Sequence, residues 1–208
     1  MKVCIFGGTN PATNPKYIEN AQKVGDFLVK HNFTKVWGGN AHGVLAEINK
    51  KFREAGKEHI LVLPEVYSDD LETMEVDKVV MAKSICSRME SMLEQTCGGS
   101  IIVMPGGIGT IFEFWAAVEC KRAEEFDVDI ILFDYDGFYK HQLAHYDYIN
   151  ENGFTRIGQG GSPYRICPTD LFTIAKTPEE VIAAWNNGNY EYRSGRNKHS
   201  YPPPEPLP

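Results

Sequence analysis

Apolar residues in this chain come in short unbroken runs that alternate with segments of helical period. The first run lies in Lys2–Phe6, where Val3, Cys4, Ile5 and Phe6 follow one another, the pattern of a strand buried on both faces. A loop, Gly7-Gly8-Thr9-Asn10-Pro11, comes next. Asn14 and Pro15 then supply an N-cap and a first helical position. Tyr17, Ala21, Val24 and Leu28 recur at helical spacing to about His31, predicting a helix that covers a sheet. The alternation continues with strands expected at 34–37, 59–63, 101–104, 128–133 and 171–175. Between them, helices are expected around Val44, Leu45, Ile48 and Phe52, and over a long stretch from about Val76 to Cys97. Another follows Thr110 (Ile111, Phe114 or Trp115, Val118), and another runs from Phe138 to Asn152. Thr177-Pro178-Glu179-Glu180 reads as a capping box opening a last helix with Val181, Ile182 and Trp185 inward. Residues 65–76 and 158–168 read as loops.

Six strand–helix alternations predict a doubly wound, Rossmann-like α/β fold, a mostly parallel sheet with helices on both faces. The expected organisation is a single nucleotide-binding domain over 1–186. After it comes an extended tail over 187–208, ending in a polyproline-like Pro202-Pro203-Pro204-Glu205-Pro206-Leu207-Pro208. In such sheets ligands bind beyond the strand C-termini. Three glycine loops, at 7–11, 38–43 and 105–110, leave strand C-termini and should share one rim. The third is the most informative. Pro105-Gly106-Gly107-Ile108-Gly109-Thr110 joins an apolar strand to a helix start, where unpaired backbone N–H groups and the positive dipole end favour an anion. Glu113 falls within reach of whatever that loop holds, although an acid there also simply favours the helix dipole. By pattern alone Arg88 fits equally well a surface arginine with a buried stem and a clamp lying over the loop. Thr9 and Asn10 fit polar ligand contacts or a plain turn, and His42 is a loop histidine able to contact a ligand or to be solvated.

Composition narrows the classes. The chain has 208 residues, 42% hydrophobic and 24% charged, with a net charge of −7. That balance disfavours nucleic acid and anionic membrane as partners. No apolar run approaches a membrane span, and the N-terminus enters a strand directly, so a cytoplasmic location is expected. Five cysteines without C-x-x-C spacing read as reduced packing residues, with no metal site implied. Gly-x-x-x-x-Gly-Lys-Ser/Thr, Gly-x-Gly-x-x-Gly after the first strand, and Gly-x-Ser-x-Gly are all absent, which removes a P-loop and an esterase elbow and weakens a dinucleotide cofactor.

Pro105-Gly106-Gly107-Ile108-Gly109-Thr110-Ile111-Phe112-Glu113 resembles the Pro-Gly-Gly-x-Gly-Thr-x-x-Glu motif of the LOG ("Lonely guy") family, nucleoside 5′-monophosphate phosphoribohydrolases that activate cytokinins and are often mislabelled lysine decarboxylases. Arg88 with Met92 is similar to that family's Arg-Lys-x-x-Met segment. Cys4 to Thr9, Val36 to Gly39 and Asp136-Gly137-Phe138-Tyr139 are similar to three more of its segments. The resemblance implies hydrolysis of the N-glycosidic bond of a nucleoside 5′-monophosphate, with no cofactor. It implies catalytic roles for Arg88 and Glu113, phosphate binding by Gly106, Gly107, Gly109 and Thr110, and ribose or base contacts from Thr9 and Asn10. It also implies a homodimer, for which the Met-rich face of the 76–97 helix and the Trp115 helix are the candidate contacts. Departures stand at Met89, where the family has lysine, at Asn40 and Ala46 in the second loop segment, and in an apparent insertion at 158–168. They bear on the base accepted. A nucleotide sensor that binds without cleaving is the alternative. A single-strand DNA-binding relative is disfavoured by charge, and a lysine decarboxylase has no lysine marked out as a Schiff-base former.

Overall fold

The computed structural model describes residues 1–10, 14–39, 42–74, 76–123, 125–152, 154 and 171–185. The expectations for Pro11, Asn40, the 158–168 loop and the 187–208 tail lie outside these residues. Seven parallel strands form one sheet: β1 (Lys2–Phe6), β2 (Thr34–Trp37), β3 (His59–Pro64), β4 (Lys78–Ala82), β5 (Ser100–Val103), β6 (Asp129–Phe133) and β7 (Thr173–Ala175). Their order is β4-β3-β2-β1-β5-β6-β7. The helices are α1 (Pro15–Lys30), α2 (Gly43–Glu54), α3 (Ile85–Thr96), α4 (Ile108–Arg122), α5 (Lys140–Glu151) and α6 (178–185). The fold is the expected doubly wound α/β arrangement, with every described strand pair parallel.

Each face of the sheet carries its own core. Val3, Ile5, Ile102 and Met104 pack with α1, α2 and the Val181 and Trp185 side chains of α6. Cys4, Phe6, Ile101 and Val103 point the other way and pack with α3, α4 and Tyr139. Successive residues of a strand face opposite sides, so the unbroken apolar runs of β1 and β5 are what two covered faces require. Within α1 the expected inward residues Ala21, Val24 and Leu28 are buried, as are Val44, Leu45, Ile48 and Phe52 of α2. Phe114 is the buried member of the Phe114/Trp115 pair.

One expectation is corrected. The single helix from Val76 to Cys97 is two elements, the edge strand β4 and the shorter helix α3. Val79, Val80, Ile85, Met89 and Met92 fit a helical stripe on paper. Val79 and Val80 are β-branched, however, and stiff at χ1 in a way that suits a strand. Residues 78–82 pair in register with β3, from Ile60↔Lys78 to Pro64↔Ala82. Ser84 then starts α3 with a reciprocal cap. Its Oγ accepts from the Ser87 N–H at 3.1 Å, and its own N–H donates to Ser87 Oγ at 2.9 Å. The 65–76 stretch also departs from a plain loop, because Glu65–Thr73 forms a 3-10 segment kinked at Tyr67.

The sheet reverses its winding between β1 and β5. From β1 the chain steps outward to β2, β3 and β4; it returns through α3 to β5 and steps outward the other way. Register holds Ile5 opposite Trp37 and Phe6 opposite Val103. The C-terminal ends of β1, β2 and β5 are therefore level, and their three loops open at the switch point, where a doubly wound sheet binds its ligands.

Candidate active site

The loop after β5 is built on close backbone contacts. The Gly8 N–H donates to the Pro105 carbonyl at 2.9 Å, tying the first glycine loop to the third. A Cβ on Gly106 would lie 2.2 Å from Thr110 Oγ1 and 2.7 Å from the Gly8 nitrogen, so only glycine fits there. Gly107 and Gly109 differ, since a Cβ on either would meet nothing within 4 Å. They border open space. Gly107 is the N-cap of α4 and offers no side-chain acceptor to the first turn, leaving N–H groups at the positive dipole end turned toward that space. The neighbouring helices are closed: Asn14 caps α1 and Ser84 caps α3. α2 lacks a side-chain cap, but its Leu45 N–H donates to the Gly8 carbonyl at 3.4 Å.

Beside this helix end lies an ion pair. Arg88, in the first turn of α3, donates from Nη2 to Glu113 Oε1 of α4 at 2.6 Å and from Nη1 to the Gly38 carbonyl at 3.4 Å. Arg88 Nε is buried without a hydrogen-bond partner. Glu113 is 8% exposed. Burial pushes its carboxyl up to about 7, against the opposing pull of the Arg88 guanidinium. A carboxyl poised near neutrality in a cleft suits proton handling or the stabilisation of a developing cation. Gly38 is fitted to the pair, because a Cβ there would approach Arg88 Nη1 to 3.1 Å.

Thr9, Asn10, Arg88, Gly106, Gly107, Gly109, Thr110 and Glu113 all line one cleft of about 660 Å³. The topology thus brings together the residues to which the resemblance gave site roles. Arg88 and Glu113 are the only charged side chains among the described residues lining the cleft. Leu63, Met74 and Ile85 form an aliphatic wall, while Tyr17 and Phe138, in edge contact at 5.8 Å, form an aromatic one. His42 is exposed at the N-cap of α2 and does not line the cleft. Sequence reasoning missed Tyr17 and Phe138 as lining residues and placed Gly38 on the rim only as part of the 38–43 loop. Gly38 and Phe138 stood in segments already noted for their resemblance, but a role for either depends on contacts far apart in the chain. Among the described residues, no group of three or more His, Cys, Asp or Glu is arranged to hold a metal ion, and no helix is long and apolar enough to cross a membrane.

Several known proteins are similar to this chain. A cytokinin riboside 5′-monophosphate phosphoribohydrolase of Arabidopsis thaliana, LOG3, is 25% identical over 184 residues, covering 87% of this chain and 80% of its own length. A probable enzyme of the same description from Oryza sativa subsp. japonica, LOGL2, is 25% identical over 182 residues, 87% of this chain and 70% of its own. Among solved structures, the molybdenum cofactor binding protein of Rippkaea orientalis has the same fold, with a TM-score of 0.61 at 17% identity over 89% of this chain and 95% of that one. The Moco carrier protein of Chlamydomonas reinhardtii superimposes with a TM-score of 0.57 at 18% identity, over 89% and 96%. The family described as "possible lysine decarboxylase" matches residues 38–182, from the loop after β2 into α6, and the chain belongs to it, the LOG family.

Proposed function

We propose that the protein hydrolyses the N-glycosidic bond of a nucleoside 5′-monophosphate, releasing free base and ribose 5-phosphate. The observation that carries this reading is the Arg88–Glu113 pair, 2.6 Å apart, beside a helix N-terminus left open by glycine. The activity for which its relatives are named supports it. In this mechanism the open N–H groups of the α4 start and the Thr110 hydroxyl hold the 5′-phosphate, with the helix dipole offsetting its charge. Ribose then lies over Glu113, with Thr9 and Asn10 at its border. The C1′–N bond breaks with its electron pair leaving on the base, and C1′ acquires oxocarbenium character. The Glu113 carboxylate faces that cation and orients the water that adds to C1′. One water proton ends on the departing base nitrogen. Arg88 orients Glu113 and balances its charge.

The family's decarboxylase description finds no support in the cleft. Lys35 is the buried lysine among the described residues, its amine pushed well below the ordinary lysine range by burial. It bonds Asn49 Oδ1 between the Trp37 and Phe52 rings rather than lining the cleft. We further assign the activity to a single domain over 1–186, acting in the cytoplasm as a homodimer. Incubation with AMP, CMP, GMP and isopentenyl-AMP, followed by chromatography for free base, tests the reaction and reads the base preference. Release from at least one is expected; folded protein that releases base from none contradicts the assignment.

A further inference from the structure

The Asp136-Gly137-Phe138-Tyr139 run after β6 places a side chain whose use the reaction does not explain. Asp136 and Gly137 take consecutive left-handed conformations, at φ 56° and 66°, which favour a short polar residue followed by glycine. The chain reverses there, leaving Phe138 at the cleft and turning Tyr139 into the core, where it is 1% exposed. The Tyr139 N–H donates to Asp134 Oδ1 at 2.7 Å, and the Asp134 N–H donates to the Ala175 carbonyl of β7 at 2.7 Å. Tyr139 is therefore pinned to the sheet from below. Its hydroxyl donates to the Met104 carbonyl at 2.7 Å.

Met104 is the point where the sheet ladder has run out. Pairing between β5 and β6 ends at Val103↔Leu132, so the next carbonyl needs another donor if it is buried. The Tyr139 hydroxyl supplies it. Burial pushes the phenol far above its ordinary range, keeping it a neutral donor. The hydroxyl thus fixes the carbonyl just before Pro105, a residue that has no N–H of its own. We infer that Tyr139 is a positioning residue that fixes the phosphate loop, holding residues 104–106 so that the α4 start from Gly107 onward presents its N–H groups to the ligand. Gly106 then serves by permitting close approach to Thr110 and Gly8.

This rests on the phosphate reading of the α4 terminus, and the test separates the two. Titration calorimetry of Tyr139→Phe with AMP and with adenosine compares ligands that differ only in the phosphate. The AMP dissociation constant is expected to rise roughly 5- to 20-fold, the scale of one lost buried hydrogen bond, with that for adenosine changed less than about twofold. Equal factors for both ligands, or no change in either, overturn the inference. If Tyr139→Phe does not fold, Asp134→Ala is expected to weaken AMP selectively, and Asp134→Asn, which keeps the acceptor for the Tyr139 N–H, to restore it; indistinguishable Ala and Asn variants overturn it. Wild-type protein that binds AMP without releasing base removes the hydrolase reading and leaves this test standing. Wild-type protein that binds neither AMP nor ribose 5-phosphate overturns both.

Discussion

Arg88 Nη2 lies 2.6 Å from Glu113 Oε1, bridging the first turn of α3 to α4 across the sheet's switch point. Each partner is nearly enclosed by protein, and the arginine is steadied by the Gly38 carbonyl on a third element. Losing one partner leaves the other buried and unpaired. In the proposed reaction Arg88 also sets where Glu113 points. Arg88→Lys, which cannot span both Gly38 and Glu113 with a planar fork, is expected to lower kcat by about 10²- to 10³-fold, measured by base release under saturating substrate.

The reaction should follow the ionisation of Glu113. A carboxylate, not a carboxylic acid, stabilises an oxocarbenium ion, and this carboxyl is held up to about 7. The rate is therefore expected to rise as pH increases through about 7 in the free enzyme, read from kcat/KM between pH 5 and 9 with a control for substrate ionisation. A profile already flat from pH 5 would place Glu113 outside the rate-determining chemistry.

Stability should move in the opposite direction. The folded state raises this carboxyl from 4.5 to about 7, so it binds the proton more tightly than the unfolded chain does. The contribution of Glu113 to stability is complete below about pH 4.5 and is lost as pH rises through about 7. Urea unfolding of wild type and Glu113→Gln from pH 4.5 to 8 should show their difference shifting by on the order of 3 kcal/mol against wild type.

Two glycines beside the pair should respond differently. A methyl at Gly106 has nowhere to go, at 2.2 Å from Thr110 Oγ1 and 2.7 Å from backbone; Gly106→Ala is expected to displace the loop and abolish phosphate-dependent binding. A methyl at Gly38 meets the guanidinium at 3.1 Å and Glu113 Oε1 at 3.6 Å. Gly38→Ala should shift Arg88, cutting kcat by roughly tenfold or more while AMP affinity stays within about threefold. Calorimetry and steady-state kinetics on both variants check this contrast.

Lys35 offers a prediction away from the site. Burial holds its amine well below the ordinary lysine range, so the folded chain binds this proton less tightly than the unfolded chain does, and its stability falls as pH drops from 10.5. Lys35→Met keeps the length and removes the amine. It should raise stability at pH 7 by about 1 kcal/mol or more, with a larger gain at pH 6 than at pH 10, measured by denaturant titration.

Much of this architecture can be read from local chemistry. Proline followed by glycines between an apolar run and a helical period marks the phosphate-type loop, because strand end, tight turn and helix start are adjacent in sequence. Asn14-Pro15 marks α1 for the same reason. β4 escaped because an exposed edge strand with only Val80 and Ala82 turned inward carries a weak alternation, and its valines merge with the stripe of the following helix. The Ser84–Ser87 box that separates them replaces the usual Glu or Gln with serine. Arg88 was undecidable by pattern, since what settles its place is a carbonyl fifty positions upstream. The Tyr139 hydroxyl is likewise invisible until topology sets β6 beside β5.

The most direct test of the central claim pairs binding with chemistry at pH 8. AMP affinity and base release are measured together for wild type and Glu113→Gln. The account predicts that AMP affinity changes by less than about threefold while base release falls by about 10²-fold or more. Release unchanged by the substitution, or wild-type protein that binds AMP tightly and frees no base from any of the four monophosphates, would contradict it.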